Sequence, residues 1–257
     1  MRIDFHTHAI LTKRYRFNLE YFDSMVRGAI AGGLDAVVLT EHFNTMRFHE
    51  LYDSLDREIG FTGHYYRAGE LRVYPGMEVD VAEGIHTLLF GALEGIRSLR
   101  GTLEDHTSVG RFVAIARLRE LADENGLFLW AAHPLRPGRE LRQVAPEERA
   151  LVDMLELNAK DLYFFGARMR ENVVQLAVEL GRPVVAGSDA HHYLQLGTVW
   201  SEIPNGCESP QEIAEAIRAG ESEIHQSPCL PTKVEAARIV KKTIKQYELP
   251  PVLPLPD

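Results

Sequence analysis

Two histidines one residue apart open the chain, in "RIDFHTHA" (residues 2–9). On a strand, residues i and i+2 share a face and lie ~6.5 Å apart, so His6 and His8 can both reach one cation at the ~2.0–2.1 Å of a zinc–imidazole bond. Near the other end, "GSDAH" repeats the spacing with Asp189 and His191, and Gly187 permits a close backbone approach there. Of eleven histidines, six stand at or beside the ends of expected strands: His6, His8, His42, His86, His133 and His191. Glu41, Glu78 and Asp189 stand in similar places. One such histidine alone reads as a hydrogen-bonded core or surface residue. Six of them with carboxylates read as a metal cluster, and a His–carboxylate set without thiolates suits Zn, Mn or Fe. The other histidines take the ordinary reading, except His192, which adjoins the cluster and is a candidate for touching substrate.

The elements that must position these groups are short. Strand patterns run over 2–8, 35–42, 71–81, 86–92, 127–134, 151–158 and 182–191. Helical patterns run over 18–33, 109–126, 167–183, 209–221 and 232–247, several closing on Gly, with Ser209, Pro210 and Glu212 spaced as a capping box. Alternating strand and helix argues for a parallel α/β sheet, and seven Val/Leu/Ala-rich strands for its closure into a barrel. In such a barrel the strand C-termini gather on one face, where sequence-distant groups meet. His86 is the awkward member, because its strand begins there; it is expected to enter from the loop after Glu78. The long 43–70 connection is aromatic-rich, and reads as a wall over the site or as a packed peripheral helix.

With these positions in view, "DFHTHA", "TEH", "GMEVD", "HTLLFG", "AAHP" and "GSDAH" occur in the motif order of the PHP (polymerase and histidinol phosphatase) superfamily, which the chain resembles from residue 1 to about 200. The resemblance implies a distorted, TIM-like (β/α)7 barrel holding two or three divalent metal ions at the C-terminal ends of the strands. It implies hydrolysis of phosphoesters, most simply phosphomonoesters of a small molecule or nucleotide. By matching motif, His6, His8 and Asp189 would bind one ion, Glu78 would bridge to a second held by His86 and His133, and His42 with His191 would hold a third. His6, His8, Glu78, His133 and Asp189 would then carry the chemistry. Two departures stand out. The acid that follows the H-x-H in many members is missing until Glu20, which leaves the third site to water or another residue. "TEH" replaces the more usual Thr-Asp-His, with His42 expected inward and Glu41 behind it.

Cations a few ångströms apart lower the pKa of a bridging water and clamp phosphoryl oxygens, so no Ser-His-Asp set is needed, and none is evident. A dianionic phosphate also wants cationic neighbours. Arg136 and Arg139, in "HPLRPGRELR", are best placed, followed by Arg47 and Lys13. Two alternatives remain open at this stage. One is an amidohydrolase-type metal hydrolase, which shares the H-x-H opening. The other is a non-catalytic metal-binding PHP module.

The 257 residues are 45% hydrophobic and 25% charged, which suits a single domain spanning 1–257, with a barrel core to about 230 followed by a helix and a Pro-rich tail over 231–257. A net charge of −9 argues against an extended nucleic-acid surface and leans towards a small phosphorylated substrate. The basic cluster in 233–248 reads as the solvated face of a helix. No apolar run approaches the ~20 residues that span a bilayer, "MRIDFHTH" has no signal-peptide character, and two cysteines fit a reducing compartment; a cytoplasmic location is expected, with oligomeric state open.

Overall fold

The computed structural model describes residues 1–13, 15–45 and 47–247. The Pro-rich tail expected after the last helix lies outside the described residues. The strands are β1 (Arg2–Thr7), β2 (Ala36–Leu39), β3 (Tyr66–Ala68), β4 (Leu71–Asp80), β5 (His86–Phe90), β6 (Phe128–Ala131), β7 (Met154–Asn158), β8 (Val184–Gly187), β9 (Val199–Glu202) and β10 (Glu223–Gln226). The helices are α1 (Leu19–Ala31), α2 (Phe48–Glu58), α3 (Leu93–Thr102), α4 (Ile115–Glu124), α5 (Pro146–Arg149), α6 (Ala159–Phe165), α7 (Ala167–Leu180), α8 (Pro210–Arg218) and α9 (Leu230–Tyr247).

The wall follows the order β1-β2-β4-β5-β6-β7-β8, matching the seven expected strands, and nearly closes on itself. Closure occurs at the C-terminal ends, where the Asp189 amide donates to the His6 carbonyl at 2.8 Å and the His8 amide to the Ala190 carbonyl at 2.9 Å. Lower down, β9 pairs antiparallel with the start of β1, and Ser201 accepts the Ala186 amide at 3.0 Å, so the added strand fills the gap between β1 and β8. β10 extends this edge.

The sheet is not wholly parallel. β5 runs antiparallel to both β4 and β6, with Asp80 opposite His86 and Leu88 opposite Trp130. Five residues link β4 to β5, too few for a crossover helix, and Gly84 supplies the positive φ of 80° the tight turn needs. This reversal explains His86: the start of an antiparallel strand lies at the same rim as the ends of the parallel ones.

Three apolar clusters hold the wall, the smallest joining Leu157, Ala186 and Val199 to Val234 of α9. Helices cover one face over Val37, Leu39, Val73, Met77, Leu129 and Leu155. The other face carries Phe5, Tyr74, Leu88, Phe90, Trp130 and Met154. Here Phe90 meets Phe5 edge-on at 6.1 Å between ring centroids and Trp130 at 5.9 Å, a rigid aromatic floor. Period-two alternation continues this face upward into polar residues: Tyr74, Gly76, Glu78 and Asp80 along β4, Met154, Glu156 and Asn158 along β7.

Local signals set several helix ends. Asn18 caps α1 by accepting the Tyr21 amide at 2.8 Å, and Ser209 and Glu212 form the expected capping box on α8. The expected 109–126 helix starts later, at Ile115. Residues 108–111 form a turn, Val113 pairs with Ala82, and the Glu83 carboxylate caps the helix by accepting the Ile115 amide at 3.0 Å. Within 43–70, α2 packs Phe48, Leu51, Tyr52 and Leu55 into the core, which is the packed peripheral helix of the two readings. Cys207 and Cys229 are free thiols. Among the described residues no helix is long and apolar enough to cross a membrane.

Candidate metal centre

The register of β1 slips by one residue between Asp4 and Thr7, a bulge that re-aims the strand end. Above it His6 Nε2 and His8 Nε2 lie 3.2 Å apart, and Asp189 Oδ1 lies 3.8 and 3.4 Å from them. Glu78 stands between these groups and the rest. Its Oε2 is 3.5 Å from His6 Nε2, 3.4 Å from His8 Nε2 and 2.9 Å from His42 Nδ1. Its Oε1 is 2.6 Å from His86 Nδ1 and 3.6 Å from His133 Nε2. His191 stacks on His8 with 3.9 Å between ring centroids. Three groups thus have donor atoms close enough to share an ion: His6/His8/Asp189, Glu78/His86/His133 and His8/His42/His191.

The polar contacts among these groups are short but unsatisfied. Glu78 Oε2, His8 Nδ1 and the His86 Nδ1 that faces Glu78 are buried without a hydrogen-bond partner among the described residues. Buried polar atoms ordinarily find partners. Lone pairs that approach within 2.6–3.6 Å without hydrogen-bond geometry are what a set of ligands facing a cation would show. The donor set, imidazole and carboxylate without thiolate, fits a divalent ion of the Zn, Mn or Fe kind.

Electrostatics divide over that fit. Burial pulls the imidazoles of His6, His8 and His86 down, but the neighbouring carboxylates outweigh it and raise them, the last to about 9, so these rings would shed protons as an ion binds. The other groups already favour the binding form. Burial pushes the carboxyl of Glu78 up, but the imidazoles of His42, His86 and His6 outweigh it and hold the group well below the usual range. Asp189 behaves alike, with His6, His8 and Arg136 overcoming burial. Burial and the Arg136 charge pull His133 down to about 4, and burial pulls His191 well below its usual value, with His8 and Lys241 adding to it. Ionised carboxylates and neutral imidazoles are the states that bind metal.

Outer partners fix the rings. Glu156 accepts the His133 amide at 2.6 Å and lies 2.9 Å from His6 Nδ1. Asp80 Oδ1 lies 2.5 Å from His86 Nε2. Glu41 accepts the Ala9 and Ile10 amides and lies 3.6 Å from His8 Nδ1, so it stands behind the cluster while His42 faces in. Two of the candidate ligands hold strained backbone: His133 has φ 32° and Asp189 φ 56°, values non-glycine residues rarely adopt.

The expected substrate-facing residues divide. Arg136 reaches the centre, yet each of its nitrogens is engaged, with Asp161 at 2.8 Å, Asn158 at 2.9 Å and Asp189 Oδ2 at 3.1 Å. It clamps Asp189. Arg139 Nη1 lies 3.7 Å from Asp80 and is half-exposed. Arg47 pairs with Glu50 at 2.5 Å on the exposed surface. His192 is buried, and its Nδ1 accepts the Leu194 amide at 3.4 Å. Residues not singled out in the sequence also belong here. Glu156 and Asn158 show the same i, i+2 spacing as the H-x-H, inside an otherwise apolar strand, and Asp80 follows Glu78 by two. Lys241 of α9, read in the sequence as part of a solvated helix face, is instead partly buried. Burial and the Lys160 charge, set against Asp189 and Glu41, leave its ammonium at about 8, so it stands within electrostatic reach of the cluster.

Residues 170–222 match the family model PHP_C, described as PHP-associated. The PHP resemblance holds. The fold recurs in the crystal structure of PsfC from Pseudomonas syringae PB-5123, with TM-score 0.76 and 23% identity over 95% of this chain and 98% of that one. It recurs in the lesion-specific endonuclease PfuEndoQ from Pyrococcus furiosus, with TM-score 0.64 and 19% identity over 87% of this chain and 57% of that one. Endonuclease Q in complex with a 27-mer duplex substrate with an abasic lesion at the active site gives TM-score 0.64 and 19% identity, over 85% and 56% of the two chains. At these identities the likeness to solved structures is one of fold. No curated protein matches the chain. The PHP_C match and the likeness of fold agree with the PHP resemblance read from the motifs, and the chain brings together groups able to bind metal.

Proposed function

We propose that the chain is a metal-dependent phosphoesterase acting on phosphomonoesters. One observation carries the reading: Glu78 lies at the junction of imidazoles drawn from four elements, and its inner oxygen is buried without a proton donor. His6, His8 and Asp189 would hold one ion, Glu78, His86 and His133 a second, and His8, His42 and His191 a third. When bound, such ions supply Lewis-acid polarisation of phosphoryl oxygens and an activated water.

The chain's own residues do the rest. Glu156 and Asp80 set the ring orientations of His6 and His86. Arg136 holds Asp189 by one oxygen, leaving Oδ1 towards His6 and His8. The ammonium groups of Lys160 and Lys241, each within electrostatic reach of Asp189, would lower the cost of bringing in a phosphate dianion. The aromatic floor closes the site from below.

The test is elemental analysis of the purified chain, combined with a screen of phosphomonoesters, nucleotides and phosphodiesters, including an abasic duplex. The fold shared with endonuclease Q puts nucleic-acid esters within that screen. Metal bound in proportion to protein, with turnover of monoesters lost in Glu78→Gln, is the expected result. Bound metal with no turnover of any phosphoester would leave a non-catalytic metal-binding module instead.

A further inference from the structure

A cleft of about 610 Å³ opens beside the candidate centre, on the Asp80 side. Its volume is that of a small-molecule site. Asp80 lines it and touches His86, so the cleft begins one side chain away from the ligand set. Its polar wall comes from three separate loops. Lys13 Nζ lies 3.3 Å from Asp80, Asn44 donates to the same carboxylate at 3.0 Å, and Arg139 approaches it at 3.7 Å. Asp80 is therefore satisfied several times over. Lys13 and Arg139, with side chains 40% and 42% exposed, keep further N–H donors for another acceptor. The opposite wall is apolar: Ile85, Phe112 and Val109, the last 90% exposed.

Resting on the phosphoesterase reading, we propose that this cleft takes the leaving part of the substrate, and that this part has an apolar body and a second anionic group. The apolar body lies against Phe112 and Ile85. The second anion, a carboxylate or another phosphate, is met by Arg139 and Lys13. Two cations against one shared carboxylate leave the polar wall with net positive charge, which an uncharged alcohol would not use.

The test compares kcat/KM for 4-carboxyphenyl phosphate and phenyl phosphate on the metal-loaded full chain, in wild type, Arg139→Gln and Lys13→Gln. Wild type should prefer the carboxylated ester by roughly tenfold, the scale of a charged hydrogen bond, and each variant should lose most of that preference. Equal values for the two esters in wild type, or a preference unchanged in both variants, would overturn the proposal. If neither ester is turned over, the wider phosphoester screen decides the phosphoesterase reading separately. The cleft is then read by calorimetric binding of benzene-1,4-dicarboxylate against benzoate. A preference for the dianion that Arg139→Gln abolishes supports the subsite, and equal binding rejects it.

Discussion

Glu156 Oε1 lies 2.9 Å from Nδ1 of His6, and this contact decides which imidazole nitrogen faces the ligand cluster. A carboxylate at Nδ1 holds the proton there and leaves the Nε2 lone pair pointing towards Glu78 and Asp189. The other oxygen of Glu156 accepts the His133 amide, so one buried side chain from β7 ties together candidate ligands from two strands.

Glu156→Gln keeps the shape and removes the charge that selects the tautomer. Metal affinity should fall roughly 10–100-fold, the usual effect of an outer partner. Competition against a fluorescent chelator reads this directly, with far-UV circular dichroism confirming the fold. Unchanged affinity would mean that His6 is oriented by something other than Glu156.

Gly187 sits where β8 passes under the same pair. A Cβ there would come within 2.6 Å of His6 Cβ, and closer still to Glu156 Oε1. Gly187→Ala must displace one or the other, and both are buried. The expected cost is about 1–3 kcal/mol of stability together with weakened metal binding. Urea unfolding and metal titration measure the two effects. A variant as stable as wild type, with full metal affinity, would show that this contact relaxes freely.

The sequence made the cluster legible because its members obey a local rule: period-two spacing at strand ends, in His6/His8 and Asp189/His191. The same rule applied to Glu78/Asp80 and Glu156/Asn158 would have found the outer partners. Those pairs lie in runs that read as ordinary strand. The direction of β5 was also readable, since five residues cannot carry a parallel crossover. Other features had no local signal. The start of α4 is set by Glu83, more than thirty residues away, and no period places Lys241 near Asp189. Arg136 looked like a free cation because sequence shows charge but not the three acceptors already waiting for it.

His133 combines a ligand's position with φ 32°, so its substitutions separate chemistry from strain. His133→Ala should lose hydrolysis by more than the ~10–100-fold expected for an outer partner, while remaining folded. His133→Gly should be equally inactive and at least as stable as the alanine variant, because glycine adopts positive φ without steric penalty. Thermal unfolding of the two variants, beside initial rates, makes the comparison. An alanine variant with the wild-type rate would remove His133 from the centre.

His192 carries a pH dependence that can be isolated from the cluster. It is buried, with 4% of its surface exposed, and burial pulls its imidazole from 6.5 down to about 4. The folded state therefore holds it neutral at a pH where the unfolded chain takes a proton. Stability from this source is intact above about pH 6.5 and is lost as pH falls towards 4, because there the unfolded state binds more protons. Between pH 7 and pH 5 the loss should be about 2 kcal/mol. His192→Asn can still accept the Leu194 amide but does not titrate. In chelator, urea unfolding at the two pH values should show wild type losing about 2 kcal/mol more than the variant, the other buried groups acting equally in both. Parallel losses in the two proteins would mean that His192 is protonated in the folded state, with its ring open to solvent rather than packed edge-on to Tyr21.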